Sequence, residues 1–536
     1  MILSVQSELL LLHLHSLTPS HQQQGHSHHP ACGLTDLKMW TCELLLLLLL
    51  FLLLLLFFIS SSFSSEKLRM EPPGPTPLPL IGNLLQLDLR RICDSYMELS
   101  KKYGSVFTLH MGTKKVVFLT GYKTVKEALG VFDEQFGDRD PLAIAWELSN
   151  GHGVTWSNGD SWKEMRRFAM TSLRDFGMGR KVCEEKIIEE SQHLVDVFRK
   201  FKGKAFDTTQ SMNYAVSNII CSIVYGSRFE YDDPEFTSLV DESQARIHLA
   251  SSLSLQIYNM LPSLFSWVPN RKKFFILAAA NKSQNTIFFN RLKQTFDPQR
   301  CRGLVDAFLL RKQQLKDLNV SNSHFHDENL MMTVINLFGG ATDTTSATLR
   351  WGLLYMAKYP KIQDKVQEEL RTVIGDRQVQ MSDKKNLNFT NAVIYETQRL
   401  ASVVPMSLPH RTSQDVTFQG HFIRKGTTVY PFIRSVHLDE SQWARPESFH
   451  PLHFLDEDGK FTKRDAFMAF SAGRRICLGE SLAQMELFLF FSTLLQRFRF
   501  TPPPGVTEEE LDLTPRYGML TTPSLHTLCA VPCESE

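Results

Sequence analysis

Three groups of residues have types and spacings that could do chemistry, and the densest is Phe470-Ser-Ala-Gly473-Arg-Arg475-Ile-Cys477-Leu-Gly479. A cysteine ligates a metal as thiolate, and it needs positive electrostatics and N–H donors to hold that charge. The text turns helical from Leu478, so Cys477 would lie at a helix N-terminus with free amides facing the sulfur. Gly473 and Gly479 would clear the backbone on either side for a flat macrocycle, Phe470 would cover the sulfur edge, and Arg475 is placed to meet a carboxylate. A lone cysteine is more often a buried structural residue. The four fixed residue types around this one set it apart.

The second group is Asp343 and Thr344, within Phe338-Gly-Gly-Ala341-Thr-Asp343-Thr344-Thr345. Asp343 is the only acid or base between Glu328 and Arg350, and a charge inside an otherwise neutral helix needs a reason. Gly339 and Gly340 would let another group approach. Thr344 either hydrogen-bonds back to its own helix, which is common for threonine, or joins Asp343 in a proton relay. The third group is Trp162 and Arg166, which share a helix face at i, i+4. They could offer an indole N–H and a guanidinium to one anion, or form a cation–π pair on a surface helix. Glu396 and Arg399, at i, i+3, read by themselves as an ordinary ion pair.

The elements that must position these residues are mostly helical. Glu328 to Tyr359 reads as one helix roughly 45 Å long, stopped by Pro360. Two β-rich halves around Gly112-Thr113 form a hairpin, and a second β-rich patch, Val416–Phe432, has turns at Gly420 and Gly426. The predicted class is mostly α with small β-sheets (α+β). Residues 170–325 are helical with few fixed signals. Within them His248–Leu264 is amphipathic core, pocket lining or a membrane-facing piece. Walls of a substrate pocket are expected from Ile144–Val154, this middle region, Val404–Leu408 and Tyr517–Thr521.

Among 536 residues, Lys and Arg number 58 against 57 Asp and Glu, so no basic excess points to nucleic acid. The nine cysteines lack paired spacing, which fits a reducing compartment, and Cys529 with Cys533 is an incidental pair. Residues 1–38 form an atypical extension or a start-site artefact, because Met39 stands directly before an apolar run. Leu44–Ile59 with its continuation is long enough for a membrane anchor over 39–65, against the rival of a secretory signal cut near Ser60–Ser65. Basic residues follow the run (Lys67, Arg69, Arg90, Arg91) and Glu43 precedes it, which favours a retained anchor and a cytosolic domain. Residues 66–80 form a basic, proline-rich hinge, and 81–536 one large catalytic domain. No glycine-rich fingerprint for a dinucleotide follows a strand.

The Cys477 stretch matches the haem-binding signature Phe-x-x-Gly-x-Arg-x-Cys-x-Gly, and the chain resembles the cytochrome P450 superfamily, most nearly its vertebrate microsomal family-2 group. The resemblance implies the P450 fold, haem b (iron protoporphyrin IX) with Cys477 as its axial ligand, and insertion of one atom of O₂ into apolar xenobiotics, fatty acids or steroids. It makes Asp343 and Thr344 the acid–alcohol pair of the oxygen-binding helix, with Ala341 departing from the usual second glycine. Trp162, Arg166, Arg139, His410 and Arg475 become partners of the haem propionates. Glu396 and Arg399 become a structural Glu-x-x-Arg pair whose usual third member is replaced by Ser448, leaving Arg445 or His453 to complete it. The implied setting is a single-pass anchor in the endoplasmic reticulum membrane, fed by NADPH–cytochrome P450 reductase and aided by cytochrome b5. Lys163 and Arg167 could face such a redox partner. Three other functions stay open: a haem-thiolate isomerase or dehydratase, which needs no NADPH; a non-enzymatic haem binder, which consumes none; and a tethered interaction protein, which is colourless.

Overall fold

The computed structural model describes residues 44–54, 70–177 and 181–533, and the chain divides into two units, 1–69 and 70–536. The expected 1–38 extension, and the 39–65 anchor apart from 44–54, lie outside the described residues. Residues 44–54 are helical and exposed, and among the described residues no helix is long and apolar enough to cross a membrane.

The second unit begins with the non-helical end of the proline-rich hinge. Prolines there deny the chain both helical φ freedom and N–H donors. It docks instead on the first strand: Thr108 N donates to Pro73 O at 2.7 Å. Strands β1 (Val106–Met111) and β2 (Lys114–Leu119) form the expected hairpin, turning at Gly112 with φ +64. With β3 (Asp138–Arg139), β4 (His410–Arg411) and β5 (Thr428–Pro431) they make a five-stranded sheet in the order β1-β2-β5-β4-β3. The β3–β4 register sets Arg139 opposite His410. Two residues some 270 positions apart are thereby fixed side by side. Val416–Phe418 pairs with His421–Ile423 across the Gly420 turn, and the remaining sheets have two and three strands.

Helices supply the rest, as the sequence pattern requires. Those that build the site are α1 (Tyr122–Gly130), α2 (Ala143–Ser149), α3 (Gly159–Phe176), α4 (Thr209–Val224), α5 (Pro234–Ala250), α6 (Pro269–Gln294), α7 (Asp327–Lys358), α8 (Asn388–Ala401) and α9 (Glu480–Arg497). On α3, Trp162, Met165, Ala169 and Leu173 recur at helical spacing and are buried, while Lys163 and Arg167 face outward. The long helix α7 is shifted one residue from the predicted ends. His326 caps it by accepting from Asn329 N, and the helix stops before Pro360. Its C-terminal half is buried throughout, packed on α8 and α9, and its centre crosses α4, where Ser217 and Thr342 share a hydroxyl hydrogen bond of 3.1 Å. Helix α9 is buried nearly throughout from Leu482 to Leu495, most of it Leu and Phe.

Candidate active site

Cys477 lies between a short 3₁₀ turn, Gly473–Arg475, and α9, which starts at Glu480 rather than Leu478. Its N–H donates to Phe470 O at 3.0 Å, closing the loop. Burial raises the thiol pKa, the amides of Gly479 and Glu480 and the Arg166 charge lower it, and Glu480 raises it. The surface that Cys477 exposes faces an internal cavity of about 430 Å³, which Phe470 and Gly479 also line. Gly473 has a different task from the one its spacing suggested. It has φ +70 and a Cβ there would meet Leu129 O of α1 at 1.8 Å, so it makes room for α1 and not for a ligand beside the sulfur. At Gly479 a Cβ would stand 3.9 Å from the Cys477 sulfur.

Arg139, Trp162, Arg166 and Arg475 line the same cavity. Arg139 donates to Leu408 O at 2.9 Å and Arg166 to Ile476 O at 2.6 Å. The Arg475 guanidinium stacks 3.6 Å from the Trp162 ring centre and donates to Gly137 O, Ser157 O and Asn158 Oδ1 at 2.8–3.0 Å. These partners do not use every donor. Trp162 Nε1 and Arg475 Nη1 are buried with no acceptor. Burial first, and then the neighbouring guanidinium groups, push Arg475 down to about 8 and Arg139 down to about 9. A buried wall of like charge with idle donors is unfavourable by itself, at about 1–3 kcal/mol for each unmet group. His410 lies behind this wall and is not among the residues lining the cavity. Its Nδ1 donates to Phe136 O at 2.6 Å, and burial holds the ring well below its ordinary pKa. In that neutral tautomer the partnerless Nε2 carries no proton, so His410 could donate to an anion only as imidazolium.

Thr344 lines the cavity too, but its hydroxyl donates to Gly340 O at 2.7 Å, a bond back to its own helix. Asp343 is half-buried and is not among the lining residues. Burial lifts it to about 6 against the pull of Arg246. Despite Ala341, α7 runs unbroken through this stretch.

Several lining residues escaped the sequence reading. Glu486 of α9 has a buried, partnerless Oε1 and is pushed by burial up to about 8, with the Thr345 hydroxyl acting the other way. It is the only charged residue from Leu482 to Phe491, so the test that singled out Asp343 would have found it. Arg246 of α5 and Asn336 of α7 gave no such signal. Asn336 Oδ1 accepts from Val154 N and Thr155 N, and Asn329, two turns earlier, accepts from Gly153 N at 3.0 Å. The helix thus holds the loop that forms one cavity wall.

Away from the cavity, Arg399 makes two 2.7 Å bonds to Glu396. His453 Nδ1 lies 3.3 Å from both Glu396 oxygens, whereas Arg445 bonds through its backbone N–H to His453. Of the two candidates for the third position, His453 is the one whose side chain meets the acid. Cys529 and Cys533 are free thiols, and among the described residues no cluster of metal-ligating side chains forms.

A cysteine on one side of a cavity and an underused cationic wall beside it fit a flat metal macrocycle with carboxylates on its edge. The comparisons with known proteins agree. A model of the cytochrome P450 family matches residues 72–530. The chain belongs to the cytochrome P450 family. It is 60% identical to cytochrome P450 2K1 of Oncorhynchus mykiss over 468 residues, covering 87% of this chain and 93% of that one. Identity is 52% to cytochrome P450 2K6 of Danio rerio (85% and 90% covered) and 44% to cytochrome P450 2F2 of Mus musculus (83% and 90%). The protein is thus a haem-thiolate monooxygenase of the family-2 group, its cofactor is haem b, and it works on an apolar substrate with electrons from a redox partner.

Proposed function

We propose that this P450 oxidises apolar organic compounds (xenobiotics, fatty acids or steroids) with electrons that NADPH–cytochrome P450 reductase delivers, sometimes through cytochrome b5. The observation that carries the reading is that one cavity joins Cys477, the underused cationic wall and a largely apolar remainder. Cys477 ligates the iron, and Trp162, Arg139, Arg166 and Arg475 hold the haem carboxylates, with His410 behind them. When bound, the haem supplies the thiolate-ligated iron at which dioxygen is reduced and one of its atoms passed to substrate. Asp343, at a pKa of about 6, holds or releases a proton near neutral pH, and the Thr344 hydroxyl passes it into the cavity by turning away from Gly340 O. Glu396 and Arg399 hold the fold around the cysteine loop. Lys163 and Arg167, exposed on α3, offer cations to a redox partner. The apolar 39–65 stretch anchors the chain in the endoplasmic reticulum membrane with the catalytic domain in the cytosol.

The test is the carbon monoxide difference spectrum of the reduced protein beside that of Cys477→Ala, followed by reconstitution with reductase. We expect a strongly red-shifted Soret band that disappears in the variant, and NADPH oxidation that rises with an apolar substrate. An unshifted band in the parent protein, or NADPH oxidation that no substrate changes, would overturn the reading.

A further inference from the structure

Arg246, near the C-terminal end of α5, is 4% exposed and lines the cavity. Its one hydrogen bond among the described residues is a long one, Nη2 to Ser243 Oγ at 3.4 Å, and Nη1 is buried without an acceptor there. Among the described residues no carboxylate comes within ion-pair distance of it. Asp343 and Glu242 reach it only through their fields. Burial lowers Arg246 to about 10, so it remains a cation at neutral pH. Apolar residues dominate the lining it shares: Ile247 and Ala250 follow it on α5, and Ala250 packs in one cluster with Ile144, Leu148 and Phe274, which line the cavity as well. The contact of α5 with α7 is close: a Cβ on Gly339 would lie 3.7 Å from Ile247 Cδ1.

A guanidinium that no carboxylate hydrogen-bonds is unfavourable to leave in such a wall, and an anion with an apolar body is the ligand that completes it. Both Nη atoms are available, one free and one loosely held, and two N–H donors on a planar fork match a carboxylate. We propose that Arg246 is a carboxylate-binding subsite of the substrate cavity, through which the enzyme selects ionised apolar acids over neutral molecules of the same shape. Arg246 is then a specificity residue, and the tail of the acid fills the apolar remainder. This rests on the reading of the cavity as that of a haem-loaded monooxygenase. The cations of Arg139, Arg166 and Arg475 would be engaged by haem, which leaves Arg246 as the free one among them.

The experiment uses the haem-loaded enzyme and measures binding of dodecanoate and methyl dodecanoate at neutral pH, by equilibrium dialysis and by the ligand-induced Soret shift. It compares the parent protein, Arg246→Leu and Arg246→Lys, each first shown to give the red-shifted carbon monoxide band. The parent should bind the acid at least about tenfold more tightly than the ester, as expected for hydrogen bonds to a charged group. Arg246→Leu should weaken acid binding roughly 10- to 100-fold with the ester unchanged, and Arg246→Lys should keep part of the preference. Equal binding of acid and ester by the parent overturns the proposal, whether or not the leucine variant folds. So does a leucine variant that loses both ligands alike. Turnover of methyl dodecanoate with reductase and NADPH is followed in parallel. If the ester is oxidised while the acid shows no preference, the subsite is wrong and the monooxygenase reading stands; absence of the red-shifted band in the parent defeats that reading itself.

Discussion

The protein holds arginines in two settings, Arg399 in one and Arg139, Arg166 and Arg475 in the other, and they are finished to different degrees. Arg399 is wholly enclosed: Nε and Nη2 grip Glu396, Nη1 donates to His437 O and Pro446 O, Nη2 also donates to Ser448 O, and Trp443 lies against the guanidinium at 5.2 Å. Glu396 accepts in addition from His450 N. Arg475 is almost as deeply buried, but one of its nitrogens has no acceptor, and its neighbours Arg139 and Arg166 carry the same charge. The chain completes the first set by itself. It leaves the second to be completed by something that the sequence does not encode, and this is how a structural network and a binding site of identical residue types are told apart.

Removing one arginine from each set should separate them most sharply. Arg399→Leu strands the Glu396 carboxylate in the interior, a loss on the order of 3–5 kcal/mol for a broken buried pair before the lost carbonyl contacts are added. We expect little folded protein with or without haem, read as soluble yield and thermal midpoint. Arg475→Leu removes an unpaired cation. It also gives up the bonds to Gly137 O, Ser157 O and Asn158 Oδ1, so its haem-free midpoint should fall, but by much less than that of Arg399→Leu, while haem transfer to an acceptor globin should accelerate by about 10- to 100-fold, as for the loss of a charge-assisted bond. If Arg475→Leu lowers the haem-free midpoint as much as Arg399→Leu does, the distinction fails.

Most of the fold and the Cys477 loop were legible because they depend on local signals: period, proline stops, glycine turns and a fixed motif. The proximity of Arg139 to His410 was not, since it comes from strand register between distant segments. Gly473 shows how spacing can point to the right residue for the wrong reason: its missing side chain accommodates a backbone oxygen more than 340 positions away in the chain. Ser448 shows the reverse. Its side chain cannot replace an arginine, yet its carbonyl takes an Arg399 hydrogen bond, and of the two candidates for the vacant position it is His453 that reaches Glu396. Arg246 was hidden because an arginine in an amphipathic helix is usually a solvated one, and only packing reveals which way it faces.

Glu486 extends the open class to an acid, with an effect of middle size. Its carboxyl is raised from an ordinary 4.5 to about 8 by burial. Between these values the folded state holds a proton that the unfolded state has released, so the contribution of this group is full below pH 4.5 and is lost as pH rises through 8. Glu486→Gln cannot ionise and should escape that loss. The midpoint of the variant should match the parent near pH 5 and exceed it increasingly toward pH 8, by an amount equivalent to a few kcal/mol at most. A difference that stays constant over this range would mean that Glu486 is not an unpaired acid.

Thr344 is where the distinction between finished and unfinished groups meets its limit. Its hydroxyl is satisfied by Gly340 O, so an inventory of partners alone would class it with the structural set. It nevertheless faces the cavity beside Asp343, which makes it the proposed carrier of protons. The two descriptions predict different things for Thr344→Val. As a structural group it gives up one intrahelical bond, worth about 1 kcal/mol or less, with a correspondingly small change in midpoint, and nothing else moves. As a relay it also gives up proton delivery. Product formed per NADPH consumed should then fall by about tenfold or more, within the range for a lost acid–base group, with hydrogen peroxide accounting for the difference. Thr344→Ser, which keeps the hydroxyl, should restore the yield. A valine variant with an unchanged ratio of product to NADPH would return Thr344 to the structural set and leave Asp343 without its partner.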